Sequence, residues 1–444
     1  MNNDFDYLIV LAYSIYPEIS SSEGIVNRNW LEALDNTEIS SLIFSKLTTN
    51  CVTRDPLGMI VISSREDKKL KVLAQLSKNK KSVLANKIYK AANKIIQAFS
   101  RHNLSLNEYA WGRFQSSRLK KIASATNGNY PIWMRVLPGM SMLPIYMAIK
   151  HIDTPLLINF NDPFSLEDLN HSKAYKKYDS IVIQMRDRIQ CYTFPSWPLA
   201  LRIASRYNLD LEQCFVIPHA TDFNDYGNLT KPLESDRNII LSYAGTLYQS
   251  AFSEELSSAI AEHNGKIGTR FFELQFIISQ YTSENLNWLK KNFSGLSIYK
   301  RLDRPDVLNK LKDSDIILIV ESKDHKDLLK GKLVEAIALG KPIFCITSKA
   351  SVTEKIALEY GGFVAYADEP ETILEQLNLI SKCLSDPKWV NEFNLKKERV
   401  REKLSNRNIA KKSLQILKFA ADLYRWEKGI LETRPDTPLL PRWP

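Results

Sequence analysis

Short apolar runs alternate with amphipathic helical patterns along most of this 444-residue chain, and no other feature restricts its fold as strongly. Residues 7–11 form such a run. A polar loop with Pro17, Ser20, Ser21, Ser22, Glu23 and Gly24 follows, and then a helical pattern through Trp30, Leu31 and Leu34. The same order recurs at 155–160, and at 180–183 with 215–217. In the second half it recurs at 238–243, 274–278, 296–299, 315–320 and 343–346, with helical stretches between. Strands separated by helices pair in parallel, because the crossover returns the chain to the same end of the sheet, and both faces are then covered. There are too many units for one sheet, and residues 222–237, with Gly227 and Pro232, read as a linker. The expected fold class is therefore α/β, with two doubly wound domains facing each other across a cleft. Residues 1–225 make the first domain and 226–405 the second. Residues 406–444 are expected to form a helix packing back on the first domain, followed by a proline-rich tail.

The composition, 44% apolar and 25% charged, is that of a globular protein. No run of eighteen apolar residues occurs, and Met1-Asn2-Asn3-Asp4 lacks the basic start of a signal peptide, so neither membrane spanning nor secretion is expected. Cys51, Cys191, Cys214, Cys345 and Cys383 are widely spaced without a C-x-x-C, as in thiols of a reducing cytoplasm. The net charge of +10 is concentrated. Residues 65–121 hold fifteen Lys and Arg against Glu66, Asp67 and Glu108. Within that segment Leu84, Ile88, Ala91, Ile95 and Phe99 recur at helical spacing, with Lys87, Lys90 and Lys94 beside them. Such a basic amphipathic helix serves either as a core helix with a solvated lysine face or as a helix lying on anionic phospholipid. Tyr89, Phe99, Tyr109 and Trp111 accompany the charge, but no base-reading module does, so nucleic acid is not the expected partner.

The second half carries the clearest local signals. Asp303 is placed to cap a helix with Pro305 in its first turn, ending near Lys312 before the apolar run 316–320. A polar loop over 321–327 leads to a helix over 329–339, closed by Gly340 with Pro342 beyond. That helix begins just after the carboxyl end of a strand, where open α/β sheets bind ligands, and its free N–H groups suit a phosphate.

The run Lys332-Leu333-Val334-Glu335-Ala336-Ile337-Ala338-Leu339-Gly340-Lys341-Pro342-Ile343 resembles the donor-binding signature of GT-B glycosyltransferases, especially the family 4 type. Tyr243-Ala244-Gly245-Thr246-Leu247 is similar to the glycine loop opening the C-terminal domain of that fold, and Val216-Ile217-Pro218-His219-Ala220-Thr221-Asp222 to the segment before its hinge. Asp313-Ser314-Asp315-Ile316-Ile317-Leu318 resembles the strand before the donor loop, and Gly361-Gly362-Phe363-Val364 the turn after it. The resemblance implies a GT-B architecture of two Rossmann-like domains and a nucleotide-diphosphate sugar as donor. It implies that Glu335 holds the ribose hydroxyls, and that Lys332 faces the diphosphate together with Gly245, Thr246, Lys330 and Gly331. Asp327 falls where the family often has a glutamate near the sugar hydroxyls. The chain departs from the pattern in having no Arg or Lys between Gly245 and Glu262. Stabilising the departing diphosphate would fall to Lys332, Thr246 and the helix N-terminus.

In the first half, Ser21-Ser22-Glu23-Gly24 occupies the place of the loop lining the acceptor side, with Arg28 one turn further on. Asp162, in Asn161-Asp162-Pro163, is placed to orient an acceptor hydroxyl or to act as a base, although such a tripeptide is also ordinary turn chemistry. His219 either touches the donor or is structural. No histidine pairs at ligand spacing and the D-x-D matches precede strands, so no metal and no cofactor beyond the donor are expected. The expected activity is transfer of a sugar, with retention, to a glycan or lipid-linked acceptor in polysaccharide biosynthesis. The enzyme would be cytoplasmic and peripheral on the inner face of the membrane, drawn by the anionic surface. A nucleotide-sugar epimerase of the same fold and a non-catalytic sugar-binding scaffold are the alternatives.

Overall fold

The structure is a computed structural model. It describes residues 7–12, 22–35, 37, 39–45, 52–54, 60–62, 83–100, 104–125, 130–136, 139–162, 172–221, 223, 230–234, 237–246, 254–266, 270–321 and 325–444. The chain divides into two compact units, one of Met1–Pro218 with Ile409–Trp443, the other of His219–Asn408 with the terminal Pro444.

The first unit contains β1 (Leu8–Ala12), α1 (Ser22–Asp35), β2 (Ser41–Phe44), β3 (Val52–Arg54), β4 (Ile60–Ile62), α2 (Val83–Phe99) and α3 (Leu106–Ala125). It continues through β5 (Ile132–Arg135), α4 (Leu143–Ala148), β6 (Leu156–Asn159), α5 (Ser172–Met185), β7 (Cys191–Phe194), α6 (Trp197–Tyr207) and β8 (Cys214–Val216). The strands form one sheet in the order β3-β4-β2-β1-β5-β6-β7-β8, parallel except where β3 meets β4. Every residue of β1, β5, β6 and β7 is buried, as a sheet covered on both faces requires. From β1 the chain builds outward through β2 and β4, then returns to β5 and builds the other way. The gap beyond the ends of β1 and β5 is therefore the topological switch point of this sheet.

One expected strand is a helix. Residues 180–183 lie inside α5, where Tyr178, Ile181, Val182 and Met185 are buried while Ile183 is 51% exposed. That spacing of three, one and three is the inward stripe of a helix, and the short apolar run is its local thickening. The strand itself comes later, as β7. Strands β2, β3, β4 and β5, each of three or four residues, were not expected from the pattern.

The second unit comprises β9 (Ile239–Gly245), α7 (Glu254–Asn264), β10 (Phe272–Ile278), α8 (Ser283–Asn292), β11 (Leu296–Lys300), α9 (Arg304–Lys312) and β12 (Ile316–Val320). Then follow α10 (Gly331–Ala338), β13 (Ile343–Thr347), α11 (Val352–Tyr360), β14 (Phe363–Tyr366), α12 (Glu371–Cys383) and α13 (Pro387–Leu404), before α14 (Asn406–Glu427) returns to the first unit. Its six strands are all parallel, in the order β11-β10-β9-β12-β13-β14, with the switch point between β9 and β12. Helix starts are set by side chains in the expected way: Asp303 accepts from the Asp306 amide at 3.0 Å, and Ser351 caps α11, which Gly361 ends at φ +83°. Helix α10 starts two residues later than expected, because Lys330 at ψ 127° is still extended. Its last carbonyls meet cations from α13: Arg401 donates to the Ala338 carbonyl at 3.0 Å, and Lys397 is buried beside Gly340. Cations suit the negative end of a helix dipole.

Candidate active site

Helix α10 places the donor motif at the switch point of the second unit. Lys330, its N-cap, provides no side-chain cap, and the first intrahelical amides to find a carbonyl are those of Leu333 and Val334. The amides of Gly331 and Lys332 are thus left at the positive end of the helix. Lys332 crosses to the end of β9, where its Nζ donates to the Tyr243 hydroxyl at 3.0 Å and lies 4.6 Å from the centre of that ring. Gly245 makes the crossing possible. At φ +136° its backbone suits glycine, and a Cβ there would collide with Cε and Nζ of Lys332. Although the residue as a whole is open to solvent, the ammonium is crowded by protein. That desolvation, with Lys330 nearby and in spite of Glu335, lowers its pKa to about 8.

The neighbours of these lysines were not expected to matter. Glu321, at the end of β12, has a fully buried side chain that accepts from the Thr347 hydroxyl and from the Thr353 hydroxyl at 2.9 Å. Burial raises its pKa. Lys330 Nζ stands 3.9 Å from that carboxylate, close enough for the two charges to attract. Glu335 is half-buried and paired with Arg304 at 2.9 Å. Thr246 follows Gly245, with its hydroxyl 3.4 Å from that of Ser279 and its carbonyl accepting from Tyr243. His219 belongs to this unit: its Nε2 lies 3.0 Å from the Leu329 carbonyl, which ties the hinge segment to the residue before Lys330. Asp327 lies in a turn three residues before Lys330. The second unit thus brings Gly245, Thr246, Lys330, Gly331, Lys332 and Glu335 to the carboxyl edge of one sheet.

The first unit has its own polar cluster at its own switch point. Glu23, in the first turn of α1, accepts from Asn161 Nδ2 at 2.8 Å. Burial raises its pKa to about 7. Arg135 opposes that rise, Asp162 adds to it, and hydrogen bonds from Asn161 and Asn27 oppose it. Arg135, the last residue of β5, is 2% exposed and donates through Nε to Asn27 Oδ1 at 2.9 Å. Its burial lowers the guanidinium to about 10, against the pull of Glu23. Gly24 is buried in α1, and Asp162 follows β6 as a half-buried bend residue. Arg28 is paired with Glu32 at 2.6 Å. Of the expected residues, then, Glu23 and Asp162 act on one another, and Arg28 pairs one turn along its helix with Glu32. Arg135 and Asn27 were missed. The available signal was a charged residue closing the apolar run Ile132-Trp133-Met134, where a buried strand has no reason to carry one unless it is used.

In the basic segment, α2 carries Lys87, Lys90, Ala91, Lys94 and Ala98 exposed, and Ile95 is 56% exposed. Its other side meets α3, with Asn93 Oδ1 accepting from the Leu106 amide at 2.9 Å. The side chains of Leu84, Ile88 and Phe99, expected on the apolar face, lie outside the described residues.

This architecture has known counterparts. It is similar to an α,α-trehalose-6-phosphate synthase from Burkholderia multivorans, at 13% identity and TM-score 0.59 over 97% of this chain and 100% of that one. A glycosyltransferase from Rickettsia africae gives 15%, 0.59, 94% and 98% on the same measures. HepE from Anabaena, solved in complex with UDP-glucose, gives 12%, 0.56, 93% and 99%. The fold is therefore that of GT-B glycosyltransferases. Within it, the neighbours include trehalose-6-phosphate synthases and do not single out the family 4 type that the donor motif resembles. No protein-family model and no curated protein sequence matches the chain.

Proposed function

We propose that this chain is a glycosyltransferase that takes its sugar from a nucleotide-diphosphate donor held at the β9–β12 edge of the second unit. The observation that carries the reading is the meeting of Lys332 with Gly245: an ammonium drawn over the end of β9, beside the uncapped start of α10 and within reach of Lys330. Two lysines this close repel each other, and a diphosphate bound between them relieves that repulsion. The same charges then stabilise the diphosphate as it leaves, which is the main electrostatic task of glycosyl transfer. Glu335, steadied by Arg304, accepts from the ribose hydroxyls. Following the family 4 type of donor motif, the reaction retains configuration, and the departing diphosphate assists deprotonation of the acceptor.

The acceptor is a glycan or a lipid-linked saccharide at an anionic membrane surface, on the cytoplasmic side. The support is α2, where exposed lysines flank an exposed isoleucine, as on helices that lie in a lipid interface. Among the described residues no helix is long and apolar enough to cross a membrane, so attachment there would be peripheral.

Thermal-shift titration with nucleoside diphosphates tests the donor reading, followed by donor hydrolysis with the best base. Glu335→Ala is expected to weaken nucleotide binding by about 1–3 kcal/mol, since charge-assisted hydrogen bonds disappear. Gly245→Ala is expected to displace Lys332 and reduce turnover. Failure of every nucleoside diphosphate to stabilise the protein would remove the donor site.

A further inference from the structure

The switch point of the first unit holds polar groups whose hydrogen-bonding capacity the described residues do not use. Arg135 Nη1 is buried and has no partner among the described residues, although Nε is engaged by Asn27. One strand over, at the position paired with Arg135, Asn159 Oδ1 is buried without a partner among the described residues, as is Trp133 Nε1 two residues back on β5. Positions paired across strands, or two apart along one, point to the same face of a sheet. Native interiors rarely leave such groups unpaired. Here two donors and an acceptor gather on one face of adjacent strands, and two of them stand at the carboxyl ends, where an open α/β sheet binds its ligand.

The chemistry of these groups selects among ligands. The guanidinium lies over the Trp30 ring, 4.6 Å from its centre, and that ring meets Trp133 edge-on at 4.7 Å. A guanidinium with Nη1 open presents a charged donor of the kind that pairs best with a planar carboxylate. A dianionic phosphate suits the place less well, because Glu23 and Asp162 already set negative charge beside the single cation. A neutral sugar offers the guanidinium single hydroxyl oxygens in place of two charged oxygens in one plane. We propose that Arg135, with Trp133, seats the carboxylate of an acidic sugar while Asn159 Oδ1 accepts from one of its hydroxyls, so that the acceptor carries a uronic acid. Only the word acceptor rests on the glycosyl-transfer reading; carboxylate binding does not depend on it.

The test is calorimetric titration of the full chain with D-glucuronate, D-glucose and inorganic phosphate, with nucleoside diphosphates titrated in parallel. Glucuronate is expected to bind at least tenfold more tightly than either of the others. Arg135→Lys keeps the charge without the guanidinium and is expected to lose at least tenfold in glucuronate affinity, while melting cooperatively and binding nucleotide as the parent does. Glu23→Gln removes the negative charge nearest the guanidinium, so binding at pH 8 is expected to strengthen several-fold. The charged groups acting on Glu23 are Arg135 and Asp162. Equal affinity for glucuronate and glucose, tighter binding of phosphate, or parental affinity in Arg135→Lys would each overturn the proposal and leave the cluster as a place for buried water. Glucuronate binding without any nucleotide binding would uphold the carboxylate site and sink the transfer reading. Nucleotide binding without glucuronate binding would do the reverse.

Discussion

Glu23 and Lys332 are each held away from their ordinary protonation by the same cause, loss of water around a charge, and the consequences differ in sign. Glu23 has its pKa raised to about 7, so the folded state holds that proton more tightly than the unfolded chain does. Its contribution is present at low pH and is lost as pH rises from about 4.5 through about 7. Glu23→Gln is therefore expected to melt near the parent at pH 5 and to be more stable by about 1–3 kcal/mol at pH 8, as read by chemical denaturation at the two pH values. Lys332, lowered to about 8, is charged below that value and increasingly neutral above it. A diphosphate favours the charged form. Nucleotide affinity is expected to fall as pH rises from 7 to 9, with proton uptake visible as a buffer-dependent binding enthalpy at pH 8. Lys332→Ala should flatten that profile; an unchanged profile would take Lys332 away from the phosphates. The sequence made Lys332 and Glu335 legible because they stand in a recognisable run, and Glu23 because it follows a strand and a polar loop. It hid Arg135, Asn27 and Glu321, because each acts through burial against residues 26 to 108 positions away, and burial has no local signature.

At the scale of elements, the second unit was easier to read than the first for a physical reason. Five of its six strands cover expected apolar runs, and several of its helices open with Thr, Asp or Ser caps that act from fixed local positions. The first unit relies on strands of three or four residues and on helices such as α5 whose buried stripe mimics a strand over four residues. Helix α2 departs from expectation in a more useful way. Ala91 and Ile95 were placed on a face that a core helix would bury, and both are exposed. Replacing Lys87, Lys90 and Lys94 with glutamate is expected to abolish co-flotation with vesicles containing anionic lipid, and salt should release the parent, because the attraction is screened over a distance of about 10 Å at 0.1 M. Nucleotide affinity should be untouched, since the lysines of the donor site belong to the other unit. Equal recovery of parent and variant, or equal recovery on neutral and anionic vesicles, would return α2 to a solvated surface helix.

For the whole molecule, the decisive feature is that the chain leaves the first unit at Pro218 and re-enters it at Ile409. The re-entry is well packed: Ser413 accepts from Trp30 Nε1 at 3.2 Å, Phe419 meets Phe215 edge-on at 5.6 Å, and Ile409, Ile416, Leu417 and Leu423 are buried. The second unit has a core built from its own residues, with Ile239, Phe272, Leu318 and Phe344 among its members. A chain cut to residues 219–408 is therefore expected to melt cooperatively, whereas one ending at residue 408 should show loss of the first unit's transition in calorimetry while the second unit's remains. Two intact transitions in the shortened chain would mean that α14 is dispensable. The same threading sets an order of events during synthesis. The half that emerges first from the ribosome cannot finish folding until the residues made last have come out, so the second unit, nested inside the first in the sequence, is complete while its elder neighbour still waits with part of its core uncovered.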